Sequence, residues 1–356
     1  MNITRLRSWI FFGMLWTHVV GAVSVLPDGN PFASAGKLQI GANACGGAGV
    51  DQLPNEYCSW SGAGKGIVIG PDSCNFPGAC QNLGESVRIG SDACNARNAC
   101  TGAGVGGERV QIGNHACNAR EACRNAGQQG AVFIGAQSCN GIQSCYEAGR
   151  RGTASIGNGS CKGPYACYRT GYAEVGGASA TVALGEGSCN GYKACGYTGY
   201  SETSGDSAKI TVGNGGCNGY RACTYAGYSK HQGNLARVRI GAQACTGHGA
   251  CEYAGYDDTA RIGKASCQGN QACYFTGAFG LADIGSHACQ GENACYFSGA
   301  FGVTDIGENT CNALDSCYFA GAFGMARVGI QFLNKMVPDM QMASHRPCNV
   351  SERGCE

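Results

Sequence analysis

Residues 262–283 read IGKASCQGNQACYFTGAFGLAD, residues 284–305 read IGSHACQGENACYFSGAFGVTD, and residues 306–327 read IGENTCNALDSCYFAGAFGMAR. Each stretch opens on Ile-Gly, places a cysteine four residues after the Gly, and adds a second cysteine six residues later. Working outward, the same frame recurs twelve times between Ile40 and Arg327. A fixed period near 22 residues is the mark of a solenoid, in which each unit is one coil that buries the face of its neighbour.

The opening glycines set the register. Gly113, Gly135 and Gly157 are 22 apart; Gly157, Gly185, Gly213 and Gly241 are 28 apart; Gly241, Gly263, Gly285, Gly307 and Gly329 return to 22. The three long units carry six extra residues after Gly171-Tyr172, Gly199-Tyr200 and Gly227-Tyr228. Such insertions bulge from one coil position and form a local ridge.

Just before each opening Gly the chain alternates apolar, polar, apolar, as in Val87-Arg88-Ile89, Ile210-Thr211-Val212 and Val238-Arg239-Ile240. That is a strand with one buried face. Asn-Gly after the first cysteine, as at Asn140-Gly141 and Asn218-Gly219, reads as a corner at positive φ. Glycine is too dense for helix, since each costs about 1 kcal/mol in a helix interior. The expected fold is all-β: a disulfide-braced parallel β-solenoid (β-helix) of about twelve coils, with a 22-residue period and 28-residue variants. Stacked coils bring equivalent residues into ladders. The ladder after the first cysteine is Asn75, Asn95, Asn118, Asn140, Lys162, Asn190, Asn218, Thr246, Gln268, Gln290 and Asn312, whose amides are expected to bond along the rod.

Of the 26 cysteines, 24 follow the repeat. The first of each unit is Cys45, Cys74, Cys94, Cys117, Cys139, Cys161, Cys189, Cys217, Cys245, Cys267, Cys289 or Cys311. The second is Cys58, Cys80, Cys100, Cys123, Cys145, Cys167, Cys195, Cys223, Cys251, Cys273, Cys295 or Cys317. In an oxidising compartment this is a disulfide framework. Two pairings fit: within a unit, or between same-column cysteines of neighbouring coils. The stretched pair Cys45 and Cys58, which keeps both members around an insertion, favours the first. Cys348 and Cys355 stand outside the repeat and are expected to staple the C-terminal end. The Cys-x5-Cys spacing is not the Cys-x2–4-Cys of zinc sites, so neither metal nor cofactor is expected.

Composition agrees. Glycine accounts for 61 of 356 residues, and it follows the 22-residue period rather than the three-residue one of collagen. A net charge of +1 with no long basic run gives no support to nucleic-acid binding. Arg5 and Arg7, the apolar run from Trp9 to Val20, and small Gly21, Ala22 and Ser24 read as a secretory signal. An uncleaved anchor is the rival reading, but the run is short for a membrane span. The expected organisation is a signal peptide at 1–24, an N-terminal cap at 25–39, solenoid repeats at 40–327, and a C-terminal cap or tail at 328–356. The expected location is secreted, extracellular or at the cell surface, with no membrane span in the mature chain.

Two resemblances appear within single units. The Ile-Gly-x-x-Ala opening, Ile284 to Ala288, resembles the bacterial-surface type of leucine-rich repeat, although Cys289 stands where that family places Phe. The Cys-x5-Cys-x-x-Ala segment, Cys245 to Ala254, is similar to the disulfide-braced β-helix of insect antifreeze proteins. The second resemblance implies a cross-linked β-solenoid. Its two-column Thr face has no counterpart here.

The strongest candidate surface lies two residues after the second cysteine. There the column runs Asn82, Gly102, Asn125, Glu147, Arg169, then Tyr197, Tyr225, Tyr253, Phe275, Phe297 and Phe319. Polar and charged early members predict a solvent-facing column, so the later six are candidate ligand-binding aromatics. A stack that merely packs at a corner is the competing reading. A second group, Tyr172, Tyr200, Tyr228, Tyr256, Phe279, Phe301 and Phe323, is expected to pack. Histidines are scattered and no catalytic residue is expected. Asp283 and Asp305 sit between Arg261 and Arg327 as a charge-matched surface column. Asn158 and Asn349 are glycosylation sequons.

These features lead to the expectation of a structural or binding protein, not an enzyme, whose candidate partners are a glycan or an extracellular protein. The alternatives are a carbohydrate-active β-helix enzyme (polysaccharide lyase or hydrolase) and an ice- or mineral-surface binder.

Overall fold

The computed structural model describes residues 38–47, 56–60, 66–107, 109–175, 179–202, 207–230 and 235–329. The expected signal segment, the expected Cys348–Cys355 staple, the Asn349 sequon and most of both expected caps lie outside the described residues. Thirteen strands form one parallel sheet in chain order, running from Gln39–Ile40 through Val68–Ile69, Val87–Ile89 and Arg109–Ile112 to Val303–Ile306 and Met325–Val328. Each strand pairs with its counterpart one coil away, as Val132 with Ala154 and Ile134 with Ile156. A parallel β-solenoid is therefore the fold. Among the described residues no helix is long and apolar enough to cross a membrane.

The alternation seen in sequence becomes inside and outside. In Thr259–Ile262, Ala260 and Ile262 are buried while Arg261 faces water. Aliphatic residues, alanines and cystines fill a narrow interior. The buried hydroxyls of Ser138, Thr170 and Ser298 donate to Gly157, Cys195 and Cys317 carbonyls at 2.8, 2.6 and 2.8 Å. This removes the penalty for burying them.

All twelve bridges in the solenoid join cysteines of one unit, from Cys45–Cys58 to Cys311–Cys317. Each staples a corner whose small interior contributes little apolar burial.

The corners differ from the sequence expectation in one respect. The left-handed residue is the first cysteine itself, φ 56° at Cys139 and 57° at Cys217, rather than the Asn-Gly that follows. In the seven units from Gly141 to Gly291 a glycine stands two residues after it, where the coils approach closely. A Cβ on Gly247 would lie 2.2 Å from the Gly269 carbonyl oxygen. The amide ladder also has its own form. Asn95, Asn118 and Asn140 accept, through Oδ1, the backbone N–H of Asn75, Asn95 and Asn118 at 3.0, 2.9 and 2.9 Å. The side chains thus cap backbone donors across coils instead of bonding to one another.

The long coils keep register. Their strands Ser179–Leu184, Ser207–Val212 and Leu235–Ile240 extend to six residues and pair in line. The insertions begin with stacked bridges, Ala173 to Ser201 and Ser201 to Ser229. Tyr200 and Tyr228 donate their hydroxyls to Glu174 and Glu202 of the preceding insertions.

Candidate functional site

Stacking at one coil spacing turns the expected aromatic column into a continuous pile of rings. Centroids are 5.1 Å apart for Tyr197–Tyr225, 5.0 Å for Tyr225–Tyr253 and 4.6 Å for Tyr253–Phe275. They are 5.0 Å for Phe275–Phe297 and 5.3 Å for Phe297–Phe319. Interplanar angles stay at or below 17°. The first five rings are half-buried and Phe319 is exposed, so the column shows ring edges and partial faces to water.

The expectation of a fully solvent-facing column needs correction at its N-terminal end. Glu147 is only 4% exposed. Its carboxylate lies 2.7 Å from the Arg150 guanidinium and 2.8 Å from that of Arg169. The column is lined by neighbouring side chains, and a charge persists there because two arginines neutralise it. Arg169 also lies over Tyr168 and Tyr172, at 5.5 and 5.1 Å from the ring centroids. Arg169 thus meets the rings beside the column through cation–π contacts, and the Tyr168 ring in turn lies 5.5 Å from that of Tyr197.

Two flanking columns join it. Tyr274, Tyr296 and Tyr318 stack at 4.9 and 5.0 Å, and each meets Phe275, Phe297 or Phe319 edge-on. On the other side, Tyr197, Tyr225 and Tyr253 touch Tyr200, Tyr228 and Tyr256. That second group changes character along the rod. Tyr172 is buried at 5% exposure, and Phe323 is 82% exposed. Packing alone describes its early members, not Phe301 and Phe323.

One column escaped the sequence reading. Tyr165 meets Tyr192 edge-on at 5.9 Å, and Tyr192, Tyr220 and His248 then stack in turn at 5.1 Å and 4.8 Å. The repeated Cys-Asn-Gly-Tyr at Cys189 and Cys217 was its signal. Lys193 lies over Tyr165 and Tyr192.

Burial governs the ionisation of these phenols. It pushes Tyr256 and Tyr274 up to about 12, with nearby carboxylates adding to the effect. Tyr200 and Tyr228 are raised further by burial and by donating to a carboxylate. All four are neutral hydrogen-bond donors at physiological pH.

Other candidates are limited. His115 Nδ1 lies 2.8 Å from Asp92 Oδ2, a pair made across neighbouring coils that linear reading did not bring together. Both side chains are exposed. Sulfur triplets such as Cys117, Cys123 and Cys139 lie within 4.8 Å of one another, but each belongs to a disulfide and offers no thiolate to a metal. Asn158 is exposed, and its amide bonds Ala136 N–H and the Glu186 carboxylate. Arg261 and Asp283 approach to 3.7 Å.

The architecture defines a cystine-braced repeat solenoid. The chain belongs to the family described as domain of unknown function DUF7640, which it matches over residues 109–209 and 227–317, more than half its length. No curated protein and no solved structure matches it.

Proposed function

We propose that this protein is a secreted structural or binding component of an extracellular matrix or cell surface, a stiff rod that presents aromatic and polar side chains to glycans. The observation that carries this reading is the ring pile from Tyr197 to Phe319, flanked by neutral tyrosine hydroxyls. Partly exposed ring faces suit the apolar faces of sugars, and neighbouring hydroxyls suit their oxygens. Repetition along the rod matches a polymer better than a single small molecule. The disulfide framework is that of an oxidising compartment, which supports export.

The test is a glycan array and a polysaccharide-depolymerisation assay on the purified chain, repeated with Phe275, Phe297 and Phe319 changed to Ala. Binding without depolymerisation, weakened in the variant while the circular-dichroism spectrum is kept, is the expected result. Unchanged binding by a folded variant removes this face from the function. Depolymerisation would instead make the protein an enzyme.

A further inference from the structure

The outer face of the sheet carries an ordered run of charges. In register along the rod stand Thr211, Arg239, Arg261, Asp283, Asp305 and Arg327. The five charged side chains are exposed. Strand neighbours are about 4.8 Å apart, so Arg239 stands beside Arg261 and Asp283 beside Asp305, like against like. Opposite charges adjoin at Arg261–Asp283, 3.7 Å apart, and at Asp305–Arg327, where no ion pair closes within 4.0 Å. Among the described residues, Arg239 and Asp305 have no ion-pair partner, and neither do Lys209 and Arg237 beside them.

The central order Arg239, Arg261, Asp283, Asp305 is self-complementary under reversal, which sets Arg327 opposite the uncharged Thr211 position. We infer that this face binds a second copy of the chain, with the rods antiparallel about a two-fold axis between the Arg261 and Asp283 coils. Arg261 then meets the partner subunit's Asp283, and Arg239 meets the partner subunit's Asp305. Both pairs are made twice, as an isologous contact requires. Each like-charged neighbour pair gains opposite charges across the interface.

The second outward column fits the same arrangement. It reads Lys209, Arg237, Thr259, Leu281, Val303 and Met325. Reversal lays Arg237 on the partner subunit's Val303 and Lys209 on the partner subunit's Met325. The aliphatic stems of the basic residues cover exposed apolar side chains while their charges reach the rim. Leu281, Val303 and Met325 are all exposed in the single chain. Six coils of four-residue strands present a projected patch on the order of 400 Å², at the small end for a specific contact. The association is therefore expected to be weak and sensitive to salt. A polyanion would match Lys209, Arg237 and Arg239 but would be repelled by Asp283 and Asp305, whereas a second copy satisfies both halves.

Analytical ultracentrifugation of the full chain over a concentration series, at low and high salt, tests this. The wild type should dimerise at low salt. The variants Arg239→Asp/Arg261→Asp and Asp283→Arg/Asp305→Arg should each self-associate at least about tenfold more weakly. Mixing the two should restore a dimer, because a column of four acids then faces a column of four arginines. Arg239→Gln/Arg261→Gln, which adds no like charge to the fold, should also weaken the dimer. A wild type that stays monomeric up to ~1 mM, or folded charge variants that associate as well as the wild type, would overturn the proposal.

Discussion

The ring of Tyr253 lies 4.6 Å from that of Phe275 and within 6° of parallel, although both residues hold left-handed backbones with φ 61° and 56°. A non-glycine residue in that region costs about 1–2 kcal/mol. The stack and the burial around it offset that cost, so side chain and backbone oppose each other at this position.

This opposition gives a graded mutational series. Phe275→Ala loses the contacts of a half-buried ring and keeps the backbone cost, and it should destabilise by about 1–2 kcal/mol. Phe275→Asn should be milder, because Asn tolerates left-handed φ and occupies the same column at Asn82 and Asn125. Denaturant midpoints of the disulfide-intact protein measure both.

Close approach of coils separates two kinds of glycine. Gly247→Ala places a methyl 2.2 Å from the Gly269 carbonyl oxygen and should lower stability by about 2–3 kcal/mol or prevent local stacking. Gly187→Ala meets nothing within 4 Å, but its φ of 64° should cost only about 1 kcal/mol. Thermal unfolding of the two variants side by side gives the comparison.

Raised phenol values predict weakening in alkali. Tyr256 and Tyr274 ionise near 10 when unfolded and near 12 in the rod. Between those values the unfolded chain has lost protons that the folded chain retains, so stability falls as pH rises. The contribution is complete below about pH 10 and gone once pH passes about 12. Tyrosinate absorbance should therefore rise in two stages, the later one coinciding with loss of structure. A single titration near 10 in the intact rod would contradict this.

Glu147 tests the buried ion cluster. Glu147→Gln leaves Arg150 and Arg169 without their shared anion and should destabilise by about 1–3 kcal/mol, moderated because both arginines reach water. Exchanging Arg169 for Lys should cost less than replacing Glu147. Urea unfolding of the three chains measures the order.

The architecture was legible because the period, the strand alternation and the cysteine frame all repeat along the chain. Twelve copies of one pattern leave little choice of fold. What escaped were properties made between coils. Neither the pairing of His115 with Asp92 nor the shelter of Glu147 under Arg150 and Arg169 is visible in a linear reading. Asp92 and Arg169 each stand one turn away from the residue they pair with, while Arg150 lies only three residues from Glu147. The corner geometry was misplaced for a related reason. Asn-Gly is a local signal for positive φ, but here glycine answers to the coil stacked against it, and Cys139 takes the left-handed conformation.

Left-handed backbones recur so often that they bear on how the rod comes into being. Between Ile134 and Ile156 the residues Gln137, Cys139, Gln143, Glu147 and Arg151 all hold positive φ. A lone coil, held by its own disulfide and a few internal bonds, would lose much of that shape, since many of its backbone bonds come from the turns on either side. Cys145 N–H reaches back to Ala122, and Gly135 N–H reaches forward to Ile156. Winding should therefore proceed by accretion, as on the growing face of a crystal, each finished turn serving as the mould for the next. A fault in one turn would then do more than weaken that place. It would leave every turn beyond it without a surface on which to form.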